Sequence, residues 1–481
     1  MCCPTLVWFK NDLRLENNPA LFAALAQGEP IIPVFIWSPN EESPWMPGSA
    51  SRWWLHHSLT ALHTSLLHHG SQLIIRQGKA LPVIIELLKE TGAKSVYWNR
   101  RYEPALIKRD SEIKSTLKEM GVKAESFNGS LIFEPWEILT QEKNPYQVFT
   151  AFWNTCLKQF RPRKPTKIPL TFPRLDKTPK SDSIDHLKLL PEVKWDAGFL
   201  SHWEPGERGA QKNIKKFVSD ILSEYPDSRN RPDYLGTSHL SPHLHFGEIS
   251  PYEIWQKVQE VSFKKGKSGS IKGAEVYLKE IGWREFAYHL LFHFPHTDKQ
   301  PLREKFSKFP WEKNSLFLKK WQKGKTGYPI VDAGLRELWA TGWMHNRVRM
   351  IVASFLVKDL LINWVKGAEW FWDTLVDADL ASNSLGWQWT AGCGADAAPY
   401  FRIFNPILQG KKFDPNGEYV RRWVPELSKL PNKWIHQPWE APETLLKDSG
   451  IFLGKNYPAP LVNHAEARTK ALRSFQFLKT H

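Results

Sequence analysis

The first 130 residues alternate short apolar runs with helical patterns, and that alternation admits few architectures. Apolar runs occupy 5–9 (TLVWF), 31–37 (IIPVFIW), 71–77 (SQLIIRQ) and 94–100 (KSVYWNR), with KAESFNG at 123–129 as a fifth. Helical patterns fill the gaps at 18–26, 51–69, 80–91 and 104–120. Strands alternating with helices predict a parallel sheet covered on both faces. Such a sheet binds ligands at the carboxyl ends of its strands. No G-x-G-x-x-G follows the first strand, so a conventional dinucleotide site is not expected there.

The composition changes at 162–195, which is rich in Pro, Lys and Ser and predicts a linker. A structureless connection of that length is uncommon, so it is expected to pack against the surface. After 203 the alternation does not return. Helical patterns at 207–223, 251–260, 274–294, 316–324, 331–341, 345–363 and 369–375 predict an all-α second half to about residue 430. A Pro-rich piece at 437–461 and a helix at 464–478 follow.

At 481 residues the chain has room for two or three domains. Its longest apolar runs, such as 350–357, fall far short of a membrane span, and the N-terminus lacks a signal-peptide pattern. Cys2, Cys3, Cys156 and Cys393 form neither a disulfide framework nor a zinc or iron–sulfur set. A soluble, cytoplasmic protein is expected. A net charge of +15 suggests a polyanionic partner, and 24 Trp with 27 Phe suit stacking on bases or on a flat cofactor.

Four stretches of the helical half carry polar groups in site-like patterns. Residues 377–406, DADLASNSLGWQWTAGCGADAAPYFRIFNP, combine Asp377, Asp379 and Asn383 with Trp387, Trp389, three glycines and a run of alanines. A packed helix does not need that mixture; a pocket for a large flat polar molecule does. A calcium loop fails, because Ala381 and Ser382 occupy the third-ligand and glycine places and no Glu follows at the required offset. Arg349 is the expected partner of Asp377 or Asp379, since an unpaired buried carboxylate is costly.

In GWMHNRVRM (342–350), Asn346 and His345 lie three and four residues before Arg349 and Arg347 points elsewhere; that cluster faces either water or a ligand. In KEIGWREFAYHL (279–290), Glu280 and Arg284 read as a surface ion pair and Trp283 as core, or Glu280 as a hydrogen-bonding carboxylate beside a stacking surface. In YPDSRNRPDYLGTSHLS (225–241), Thr237, Ser238 and Ser241 offer hydroxyls. Ser241 followed by Pro242 reads as a capped turn or as an anion site suited to a diphosphate. No Ser-His-Asp order, H-E-x-x-H or P-loop supports hydrolytic or phosphoryl-transfer chemistry.

Together these motifs resemble the photolyase/cryptochrome family. The matching stretches are WFKNDLRLENNPAL (8–21), TSHLSPHLHFGEISP (237–251), WREF (283–286), KTGYPIVDAGLREL (325–338), TGWMHNRVRMIVASFLVKDLL (341–361) and DADLASNSLGWQW (377–389), and they span nearly the whole chain. The resemblance implies an α/β antenna domain at 1–130, a linker at 131–202 and a helical catalytic domain at 203–481 that holds FAD. It places FAD contacts on Tyr225, Thr237, Ser238, His239, Leu240, Ser241, Glu280, Arg284, Asn346, Arg349, Asp377, Asp379 and Asn383, with Asn383 facing flavin N5. The electron-transfer tryptophans fall on Trp387, Trp364 and Trp311, from flavin outward. Lesion contacts fall on Glu280, Trp283, Asn346, Arg347, Met350, Trp389 and Gln409, and a DNA-phosphate contact on Arg229.

Within the family, WMHNRVRM and GWQW resemble enzymes that repair cyclobutane pyrimidine dimers, of class III or class I. Ala105 and Leu106 stand where the enterobacterial pattern has the Asn-Glu pair of the folate antenna, and His239 stands where it has Arg. The implied antenna pigment is methenyltetrahydrofolate in preference to a deazaflavin, with no residues assigned to it. The implied reaction is light-driven electron transfer from reduced FAD to a flipped dimer. The implied partner is damaged DNA, bound by a monomer. A blue-light-sensing cryptochrome is the alternative on the same fold.

Overall fold

The computed structural model describes residues 3–480, apart from 164–167, 174, 176, 266 and 267. Five strands form one parallel sheet: β1 (Thr5–Phe9), β2 (Ile31–Trp37), β3 (Ile74–Gln77), β4 (Ser95–Asn99) and β5 (Lys123–Phe127), in the order β3-β2-β1-β4-β5. The chain winds outward from β1 through β2 to β3, then crosses back to β4 and β5. That reversal beside β1 opens a cleft at the carboxyl ends of the strands. Helices Pro19–Leu25, Ser49–His68, Ala80–Thr91 and Pro104–Glu119 make the crossovers. The first begins at Asn18, whose side chain accepts from the Leu21 N–H, followed by Pro19.

The third apolar run yields a strand only from Ile74. Gly70 leaves the preceding helix at φ 77°, and the Ser71 N–H still reaches back to the Leu66 carbonyl, so the run's first residues finish a helix terminus. The linker packs as expected. Ser181 accepts from the Ile75 N–H at 2.9 Å and the Asp182 N–H donates to the Ile75 carbonyl at 3.0 Å, which covers the β3 edge. Phe172, Leu187 and Leu189 bury themselves in the core shared by β1 and helix Ser49–His68. The stretch 131–202 also holds a helix, Phe149–Gln159, with Phe149, Phe152, Trp153 and Cys156 buried along one stripe.

From 207 onward the chain is helical. The expected helix at 345–363 is shorter: Asn346–Ser354 runs into a π-turn at Phe355–Asp359, and Leu361 at φ 51° breaks it. Asn363 then caps a new helix, Trp364–Thr374. The halves are tied by buried Arg14, which donates to the carbonyls of Asn17, Gly129 and Gly247 at 2.9, 2.7 and 2.8 Å. Trp54 Nε1 donates to Glu248 at 2.9 Å across the same seam. Among the described residues, no helix is long and apolar enough to cross a membrane.

Candidate functional site

Helix Ser268–His293 is the spine of the site. Tyr277, Glu280, Arg284 and Tyr288 recur every three or four residues and so share one stripe. Each reaches a different segment. Tyr277 hydrogen-bonds Ser238 at 2.9 Å. Glu280 pairs with Arg229 at 2.7 Å. Arg284 donates to the Ser130 carbonyl at 2.8 Å. Tyr288 donates to Asp379. The expected pair between Glu280 and Arg284 is therefore not made: Arg229, lying over the Tyr225 ring, claims the carboxylate. Burial raises Glu280 above its ordinary value against the opposing pull of Arg229 and Arg347. Trp283 stands beside the stripe, stacked on Phe149 at 3.9 Å and 8°. Its partner comes from the helix inside the linker.

The facing wall is the stretch 377–391. It folds from Leu380 to Ala391 as a helix with Asp379 as its N-cap, accepting from the Ser382 N–H at 2.8 Å. Burial would push Asp379 up. His245 at 3.9 Å, Arg284 and the Tyr288 hydroxyl outweigh it and hold the carboxyl below its ordinary value. Asp377 takes two hydrogen bonds from Arg349, at 3.0 and 2.8 Å, as the sequence predicted. Arg349 is itself fixed by the Met344 carbonyl at 2.7 Å.

This helix has two unlike faces. Trp387 turns inward against Phe371 and Trp321, with centroids at 5.0 and 6.3 Å. A Cβ on Gly367 would stand 2.0 Å from its ring, so only glycine lets that ring lie there. Ser382 and Gly386, one turn apart, remain exposed, and a Cβ on Gly386 would meet nothing within 4 Å. Asn383 is half-buried beside them and donates to the Ala368 carbonyl at 3.1 Å. Trp389, two residues from Trp387 and so on the other side of the helix, is half-buried.

The remaining predicted residues gather around these walls. Ser241 opens a short helix instead of capping it, with Leu240 at the cap, and its hydroxyl accepts from Trp343 Nε1 at 3.3 Å. His239 takes φ 51° beside Trp343, and burial lowers it to about 4. Thr237 is half-buried and Asn346 exposed. Arg347 donates to the Asn230 side-chain Oδ1 at 2.6 Å, touches the Met350 sulfur at 3.5 Å and lies 4.5 Å over Phe413, on the helix that carries half-buried Gln409. Trp364 is buried and Trp311 half-buried in the same core as Trp387.

Residues 5–170 match the family described as DNA photolyase, and residues 277–477 match the one described as FAD binding domain of DNA photolyase. The chain belongs to the DNA photolyase family. It is 48% identical to the deoxyribodipyrimidine photo-lyase of Agrobacterium fabrum over 99% of this chain and 98% of that protein. The crystal structure of a bacterial class III photolyase from Agrobacterium tumefaciens superposes with a TM-score of 0.96 at 47% identity, over 100% of this chain and 98% of the other. Cryptochrome-1 of Arabidopsis thaliana is 41% identical over 97% of this chain and 69% of its own length.

In this photolyase-family chain the helical site suits FAD by its donor set. Arg284 and Arg349 supply cations, Thr237, Ser238 and Ser241 hydroxyls, and Asp377, Asp379 and Asn383 acceptors, around a helix that keeps an open polar face. His345 adds a buried Nε2 with no protein partner. A second concavity lies at the carboxyl ends of β1 and β2 and is lined by Trp8, Lys10, Trp37, Ser51, Arg101 and Arg109 among others. Its cations are already paired: Lys10 with Asp110 at 2.5 Å, Arg109 with Asp110 at 2.8 Å, and Arg101 with Glu103 at 2.6 Å. Buried Trp8 Nε1 and Ser51 Oγ on its wall lack protein partners. His245 lines the cleft and also faces Asp379.

Proposed function

We propose that this chain splits cyclobutane pyrimidine dimers in DNA by light-driven electron transfer, as a class III photolyase with FAD held by the helical half. The observation that carries this reading is the Glu280–Arg229 pair beside stacked Trp283, with Arg347 and Asn230 completing the cluster. Bound FAD, fully reduced and excited by light, supplies the electron that opens the dimer. The protein's part is to seat a flipped dinucleotide and hold charge where the reaction needs it.

Trp283 presents a rigid face, because Phe149 backs its ring, and Trp389 offers a second aromatic surface. Stacking on such faces recovers part of the cost of unstacking. Glu280 accepts a hydrogen bond from the pyrimidine edge, and Arg229 keeps its carboxylate oriented. Arg347, Met350, Asn346 and Gln409 frame the same approach, and the net positive charge draws the phosphates without reading sequence. Asp377, Asp379 and Asn383 hold the cofactor from the facing helix. Trp387, Trp364 and Trp311 form the path by which oxidised flavin is recharged. The cleft at β1 and β2 takes the antenna, a flat pigment with an anionic tail, a folate in preference to a deazaflavin.

Glu280→Gln should keep flavin and lower dimer splitting per absorbed photon by about tenfold, the worth of one charge-assisted hydrogen bond. The measurement is thymine recovery from a dimer-containing oligonucleotide under illumination. An unchanged yield removes Glu280 from the reaction. A wild-type protein that restores no thymine at all is the outcome a cryptochrome-type sensor would give.

A further inference from the structure

The segment 303–325, which carries Trp311, is a strongly basic apron. Between residues 303 and 325 there are eight basic residues, Arg303, Lys305, Lys308, Lys313, Lys319, Lys320, Lys323 and Lys325, against two carboxylates, Glu304 and Glu312. All eight are exposed. Glu312, next to Trp311, is paired at 2.6 Å with Lys470 of the C-terminal helix His464–Thr480. In the middle of this charge lies apolar surface. Leu316 is 58% exposed on helix Ser315–Gln322, where it shares a face with Lys319 and Lys320, three and four residues on. Trp311 is half-buried, with its ring 4.4 Å from that of Phe309. An apolar centre with a charged rim is the anatomy of a protein interface.

The residues to which the proposed function gives DNA, Arg229, Arg347 and Trp389 among them, all lie outside this segment. Trp387 and Trp389 lie two positions apart on one helix, which sets them about 200° apart. The proposed function gives Trp389 to the lesion. The Trp387 side packs inward against Phe371, and the same core continues to Trp364 and Trp311. Attraction to DNA phosphates accounts for charge around Arg229 and Arg347. It does not account for eight cations at the outer end of the tryptophan path.

We propose that the apron is the docking surface for a small acidic one-electron carrier protein that re-reduces Trp311. The inference rests on the tryptophan path of the proposed function. Bound flavin, when oxidised and excited, would supply the driving force; Trp387 and Trp364 would relay the electron inward and Trp311 would be left with the hole. The carrier then gives up one electron, is oxidised by one, and the Trp311 indole radical cation returns to indole. No bond forms or breaks and no proton moves. Such encounters bury little area and depend on electrostatic steering, which a basic rim provides for an acidic partner.

The test uses the full-length flavoprotein and three donors: reduced flavodoxin as the acidic carrier, reduced cytochrome c as a basic one, and the uncharged thiol dithiothreitol. The readout is the rate of flavin photoreduction as a function of salt. In wild type, flavodoxin should act fastest and lose at least tenfold in rate between low and high salt. Lys308→Glu/Lys313→Glu/Lys320→Glu should slow flavodoxin about tenfold or more, speed cytochrome c, and leave dithiothreitol unchanged. Equal flavodoxin rates in the two proteins overturn the proposal, and so does an equal loss with dithiothreitol. A triple variant that binds dimer-containing DNA less well while keeping its flavodoxin rate makes the apron a DNA surface instead. Trp311→Phe separates this from the underlying reading: if it photoreduces at full rate with every donor, the tryptophan path itself is wrong, whatever the apron binds.

Discussion

The helical site and the sheet cleft are both lined by buried ions, yet they keep them differently. In the cleft, Lys10, Arg101 and Arg109 each have a carboxylate of their own domain, and Asp110 serves two of them. A ligand there must compete with pairs that are already closed. In the helical site, Arg349 closes one pair with Asp377 in the turn before helix Leu380–Ala391, and the same walls carry exposed Asn346, the open face at Ser382 and Gly386, and an unpartnered His345 nitrogen. The first arrangement is stable whether or not a pigment sits in it. The second leaves polar groups open to a guest, as a resident cofactor requires.

Breaking the helical pair should have the largest effect. Arg349→Leu leaves Asp377 buried without a partner, which costs about 3–5 kcal/mol and should release flavin. Thermal unfolding and flavin absorbance of the purified variant measure both. Retention of flavin at an unchanged melting temperature would erase the contrast between the sites. Next comes the wall behind that site. Gly367→Ala puts a methyl 2.0 Å from the Trp387 ring and should cost about 1–3 kcal/mol by overpacking. It should slow photoreduction while chemically reduced protein still repairs. The smallest effect belongs to the cleft. Burial lowers Lys10 to about 8 despite Asp110, so its charge is present below that pH and lost as pH rises through it. An anionic pigment should therefore bind about tenfold more weakly at pH 9 than at pH 7. Flavin should stay bound over the same range, because guanidinium groups keep their charge at both pH values. Equilibrium dialysis at the two pH values sharpens or removes the distinction.

Legibility followed the same division. The first two strands of the sheet could be read because each is a nearly continuous apolar run between turns, and both fall at the predicted residues. Arg349 was foreseeable as the partner of Asp377 or Asp379, since a buried carboxylate demands a cation; the structure gives it to Asp377. Helix Leu380–Ala391 was hidden because its two tryptophans serve opposite faces, so no single apolar stripe marks it. Helix Phe149–Gln159 had a usable signal, with Phe149, Phe152, Trp153 and Cys156 at helical spacing, masked by the Pro- and Lys-rich run that follows. The Glu280–Arg229 pair could not be read at all. Within helix Ser268–His293 the spacing pointed to Arg284, and a contact between residues 51 positions apart leaves no local pattern.

His245 belongs to both sites, lining the cleft on one side and facing Asp379 at 3.9 Å on the other. That shared side chain makes the two occupancies a single thermodynamic problem. Whatever factor a bound pigment applies to flavin affinity through His245, flavin must apply to the pigment, because the cycle of four states closes. Titrating one guest in the presence of the other thus weighs the communication between them without light, DNA or turnover.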